Sequence, residues 1–149
     1  MKKLLSLIFA LALFTGCQPA ESPTPEDWTL IDLGEFTVEA PATWEYVPEQ
    51  GTDSFVGRIE GDGVYLTFDY GAWSGFLDSG TEADYKIEED SIDGFDAKIA
   101  TPKATGDGLT VILFEQVPNE NRLSLSAWDL NAEQEALALE VFQTIKFKQ

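Results

Sequence analysis

Apolar and polar residues alternate along most of the chain beyond position 27, and that period of two predicts strands. Trp28 to Leu33 and Phe36 to Ala40 follow it, with Gly34 between them and Pro41 ending the second; Trp44 then falls in a turn, where a large ring plugs the open end of a sheet. Ser54 to Glu60 and Val64 to Tyr70 form a hairpin through Gly61-Asp62-Gly63, because Asp and Gly tolerate positive φ. On the second of these strands Val64, Leu66, Phe68 and Tyr70 share one face while Tyr65, Thr67 and Asp69 take the other, the half-buried pattern of an antiparallel sheet. Asp84 to Asp90 pairs with Phe95 to Thr101 around Asp93-Gly94, and Leu109 to Val117 with Arg122 to Leu130 across residues 118–121. The Leu109 strand is apolar on both faces and is expected to be central; on its partner Leu123, Leu125 and Ala127 face the core. The period then changes to that of a helix. Asn131 is an N-cap with Gln134 completing a capping box, and Leu137, Ala138, Val141, Phe142 and Ile145 make one apolar stripe, with Lys146 and Lys148 beyond the C-terminus. The predicted class is α+β, an antiparallel β-sheet with a C-terminal helix packed on it.

The first residues obey a different pattern. Lys2 and Lys3 precede an apolar run, Leu4 to Phe14, broken only by Ser6. That suits the core of a signal peptide and is too short for a membrane-spanning helix, which needs about 20 apolar residues. Leu13-Phe14-Thr15-Gly16-Cys17 resembles the bacterial lipoprotein box, with Phe14 where the family more often has leucine. The resemblance implies cleavage after residue 16, lipidation of Cys17 with acyl chains such as palmitate, and anchoring to the membrane of a bacterial cell envelope with the domain outside the cytoplasm. Gln18 resembles the outer-membrane sorting signal of Gram-negative lipoproteins. The competing reading is an ordinary secreted protein whose cysteine merely follows the cleavage site, but an unpaired thiol in a secreted chain needs a role. Gln18 to Asp27, with Pro19, Pro23 and Pro25 among polar and acidic residues, reads as a tether reaching roughly 30 Å in extended form. The expected organisation is a lipoprotein signal peptide (1–16), a lipidated cysteine and Pro-rich tether (17–27), and one α+β domain (28–149).

Charge narrows the possible partners. The chain carries nine basic and 27 acidic residues and no histidine, a net −18; loss of Lys2 and Lys3 with the signal peptide leaves seven against 27, or −20. Such a field repels phosphate backbones and anionic lipid, so nucleic-acid binding is excluded. It favours solubility, and among partners it favours cations and basic proteins. Without histidine there is no Ser-His-Asp or Cys-His pair, and the single cysteine excludes an internal disulfide and multi-cysteine metal sites. Gly61-Asp62-Gly63 lacks the spacing of a phosphate loop. Of the carboxylates at Glu88, Glu89, Asp90, Asp93 and Asp96, the candidates for a hard-cation site are Glu89, Asp90, Asp93 and Asp96. An EF-hand register fails, since aligning Gly94 with its glycine puts Ala100 where a bidentate glutamate belongs. A solvated acidic hairpin end is the competing account.

Gly71 to Glu82 is a twelve-residue connection with three glycines, Trp73, Phe76 and Leu77. Loops this long are usually compact or functional. Either the aromatics fold back to complete the core, or they form an exposed tip that contacts a partner; Tyr70, Trp73, Phe76 and Leu77 are the candidates for the second role.

Three segments carry a family resemblance. Phe36-Thr37-Val38-Glu39-Ala40-Pro41-Ala42-Thr43-Trp44 resembles the opening of PsbP-like (DcrB-like) proteins, Asp93-Gly94-Phe95-Asp96-Ala97 their central turn, and Phe142-Gln143-Thr144-Ile145-Lys146-Phe147 their ending. The resemblance implies an α/β/α sandwich and a non-enzymatic binding or assembly role, with a protein or small-molecule partner. It carries over no site residue. The expectation is therefore an anchored, monomeric binding module without cofactor, with a calcium-dependent binder and an enzyme using paired carboxylates as alternatives.

Overall fold

The computed structural model describes residues 27–75 and 83–148. The lipidation candidate Cys17, the expected signal peptide and most of the expected tether lie outside the described residues, as do Phe76 and Leu77. Among the described residues no helix is long and apolar enough to cross a membrane.

Among the described residues the domain consists of two antiparallel sheets, one α-helix and a 3-10 turn at Pro118–Glu120. The strands in chain order are β1 (Trp28–Asp32), β2 (Phe36–Pro41), β3 (Glu45–Pro48), β4 (Phe55–Gly61), β5 (Val64–Gly71), β6 (Tyr85–Ile92), β7 (Phe95–Pro102), β8 (Leu109–Val117), β9 (Asn121–Trp128) and β10 (Lys146–Phe147), with helix α1 (Ala132–Gln143) before β10. A seven-stranded sheet runs β3-β4-β5-β9-β8-β7-β6 and a three-stranded sheet runs β1-β2-β10. The α+β class predicted from patterning holds, with strand as the dominant structure.

Local chemistry explains the hairpins. Asp62 (φ 53°) with Gly63 (φ 78°) and Asp93 (φ 53°) with Gly94 (φ 83°) are two-residue turns with positive φ at both centres. Such turns match the twist of the strands they join. The first turn is one residue shorter than predicted, because Gly61 belongs to β4 opposite Val64. A side chain there has no room: a Cβ on Gly61 would lie 2.2 Å from Cδ1 of Trp44. Trp44 is buried over this strand end, its indole N–H donating to Asp62 Oδ2 at 3.0 Å, so the ring closes the sheet as expected.

One face of the large sheet is covered by α1 and by the small sheet. Val64, Leu66, Phe68 and Tyr70 of β5 and Leu123, Leu125 and Ala127 of β9 point into this layer, as the alternation predicted. Helix α1 touches β2, β5 and β8 and buries Ala138, Val141 and Phe142. Its start has both halves of the capping box: Asn131 Oδ1 accepts from the Glu133 and Gln134 amides at 3.0 Å, and Gln134 Oε1 accepts from the Asn131 amide at 3.1 Å. At the centre Phe36 meets Phe68 edge to face, centroids 5.3 Å apart, and Phe147 meets Phe114 at 5.1 Å.

Two strands escape the sequence pattern. Strand β3 is four residues ending in proline, and β10 is two residues lying where only helix-flanking lysines were expected. Strand β8 is interior but next to the central strand, which is β9. It is apolar on both faces because Ala100, Val111 and Leu113 form a second small buried cluster on the outer face.

Candidate functional surface

The end of β5 presents the most exposed aromatic side chain of the described residues. Gly71 and Ser74 are buried, and the Ser74 amide donates to the Gly71 carbonyl at 3.3 Å, closing a turn. The Ser74 hydroxyl donates to Asp69 Oδ1 at 3.0 Å. Between these fixed points Trp73 is 81% exposed. Gly71 permits the arrangement, since a Cβ there would meet the Ser54 side chain at 2.8 Å. An indole carried outside the core on a fixed turn requires little backbone ordering on contact with a partner, which suits an interface anchor.

Tyr70 takes no part in this surface. It is 5% exposed, stacked 6.2 Å from Phe36, and its hydroxyl donates to the Pro118 carbonyl at 3.0 Å. The alternation of β5 sends it to the core with Val64, Leu66 and Phe68, so the expectation that it joins Trp73 in binding is corrected.

The acidic candidates are separated by strand geometry. Asp90 lies opposite the buried Ala97 and so on the helix side of the sheet, where its Oδ2 accepts from Gln143 Nε2 at 2.9 Å. Glu89, opposite Lys98, and Asp96, opposite Ser91, are on the outer face. Asp93 turns back on the domain: its Oδ2 accepts from the Phe147 amide at 2.8 Å and its Oδ1 lies 3.5 Å from Lys146 Nζ. Among the described residues no three Asp or Glu side chains converge as metal ligands would. Closeness in sequence suggests one cluster, but a period of two divides these residues between faces.

Beside Glu89, Lys98 donates to Glu115 Oε1 at 2.6 Å. That hydrogen bond and charge hold the Glu115 carboxyl below its ordinary range and the Lys98 ammonium above its own. The pair is exposed and works as a surface clasp between β7 and β8.

Sequence reading passed over one exposed residue, Trp128, which is 67% exposed at the end of β9. The signal was present: with Leu123, Leu125 and Ala127 facing inward, position 128 must face outward. It lies opposite Leu109, and Tyr65, 60% exposed, is at the same end of β5. Trp73 sits at the other end of the β5–β9 ladder, roughly 20 Å away at about 3.4 Å per residue. Comparison of the chain with protein-family models, curated proteins and solved structures gave no match.

Proposed function

We propose that the chain is an envelope lipoprotein, anchored through Cys17, whose domain binds a partner without catalysing a reaction. The observation that carries the binding role is Trp73, 81% exposed between two buried residues of an anchored turn. The anchor rests on the lipobox-like residues before Cys17. A PsbP-like arrangement is part of the proposal, supported by how the three resembling segments meet. Phe147 pairs with Phe36 in β10 and β2, and the Asp93 carboxylate accepts the Phe147 amide.

Two experiments test this reading. Cells labelled with a fatty-acid analogue are expected to incorporate it into the unmodified chain and not into Cys17→Ser; label that survives the substitution would sink the anchor. Trp73→Ala is expected to change stability by no more than about 0.5 kcal/mol, as surface substitutions do. The same change should weaken partner binding by about 2 kcal/mol or more. A melting curve and a binding isotherm on the same preparations check both numbers, and a large drop in melting temperature would remove the recognition role of the turn.

A further inference from the structure

Strand β6 is one edge of the large sheet, with β3 at the other. It pairs with β7 on one side and, among the described residues, with no strand on the other. The two-residue turn at Asp93-Gly94 makes Ile92 and Phe95 a hydrogen-bonded pair, and antiparallel geometry then alternates along the strand. Lys86, Glu88 and Asp90 aim their backbone groups at β7, whereas Tyr85, Ile87, Glu89 and Ser91 aim theirs outward. Two observed bonds fit this phase. The Lys103 amide donates to the Asp84 carbonyl at 2.9 Å, extending the inward set, and the Ser91 amide is satisfied by Asp90 Oδ1 at 2.8 Å rather than by β7. Ile87 and Glu89 therefore present two N–H and two C=O groups in strand geometry to whatever lies beside them.

Both flanks of this edge are concave. On the helix side a cavity of about 590 Å³ has an apolar floor of Ile99 and Leu139 and a rim that includes Glu88, Asp90 and Glu140. On the outer side one of about 630 Å³ runs past Glu89, Asp96 and Lys98. We propose that β6 accepts an extended basic segment of another protein as an eighth strand of the sheet. Added strands send alternate side chains to opposite faces. A lysine or arginine on the helix side would lie beside Glu88 and Asp90, the neighbouring helix-side carboxylates of β6, and carry its charge to them. Charge also decides against the two occupants nearest at hand. The tether carries Glu21, Glu26 and Asp27 and no basic residue, and a second copy paired edge to edge would set two acidic strands side by side. The same charges that discourage pairing with an acidic edge select a basic one. This surface is separate from the Trp73 turn and independent of the anchor.

The test uses the full chain in neutral detergent and a capped ten-residue peptide alternating lysine and threonine, with a glutamate-for-lysine peptide as control. The lysine peptide is expected to bind saturably and the glutamate peptide not to bind. Amide hydrogen exchange at Ile87 and Glu89 should slow at least tenfold on binding. Glu89→Pro removes an outward N–H that β7 does not use, which an edge strand tolerates. It should weaken binding at least tenfold, whereas Glu89→Gln should stay within about threefold of the unmodified chain. Absence of saturable binding, unchanged binding by Glu89→Pro, or binding without slowed exchange at those two amides would overturn strand addition. If Glu89→Pro does not fold, the exchange measurement on the unmodified chain decides.

Discussion

Phe147→Ala is expected to lower the unfolding free energy by about 3–5 kcal/mol, out of the 5–15 kcal/mol typical of a domain. Phe147 is 8% exposed and its ring lies 4.9 Å from Phe95, 5.1 Å from Phe114 and 6.4 Å from Phe36. These rings come from β7, β8 and β2, so one side chain joins the last strand of the large sheet's interior to the small sheet. Its backbone pairs with Phe36, and the next residue's amide donates to the Glu35 carbonyl at 3.0 Å. Removing the ring leaves a cavity bounded by three aromatics that cannot all collapse inward, which places the cost toward the upper end. Urea unfolding followed by far-ultraviolet dichroism checks it, with Trp128→Ala, at 67% exposure, as a control that should stay within about 0.5 kcal/mol. A Phe147→Ala loss below about 1 kcal/mol would mean that β10 docks only loosely.

Phe147 also marks the boundary of what the sequence could show. The hairpins were legible because Asp62-Gly63 and Asp93-Gly94 carry their own turn chemistry, and α1 because Asn131 and Gln134 announce its start. Strand β10 was not, since two residues have no period; it exists only because β2 offers an open edge where α1 ends. Strand β3 is similar, four residues given a place by the free edge of β4. The surface divided in the same way. Alternation alone places Tyr70 in the core and Trp128 outside it, but it is silent about Trp73, whose exposure follows from Gly71 and Ser74 being held in a turn. The acidic run at 88–96 illustrates the converse error. Proximity in sequence suggested convergence, while strand geometry directs Asp90, Glu89 and Asp93 in three directions and turns the run into the two flanks of a sheet edge.

Asp93 shows how a residue with the chemistry of a ligand serves as structure, and a substitution series separates its tasks. It holds φ at 53°, accepts the Phe147 amide at 2.8 Å, and lies 3.5 Å from Lys146 Nζ. Asp93→Asn keeps an acceptor and tolerates the left-handed backbone, so it removes only the ion pair; the expected cost is about 0–1 kcal/mol, because Lys146 is exposed. Asp93→Gly keeps the turn and removes the acceptor, leaving a part-buried N–H to find water, at about 1–3 kcal/mol. Asp93→Ala loses the acceptor and adds roughly 1–2 kcal/mol of left-handed strain, so about 2–4 kcal/mol is expected in all. The predicted order of stability is Asn above Gly above Ala, and denaturant unfolding of the three variants reads it directly. Equal losses for Asn and Ala would mean that the negative charge itself is what the site needs. In that event the carboxylate, and not the turn, fastens the final strand to the hairpin.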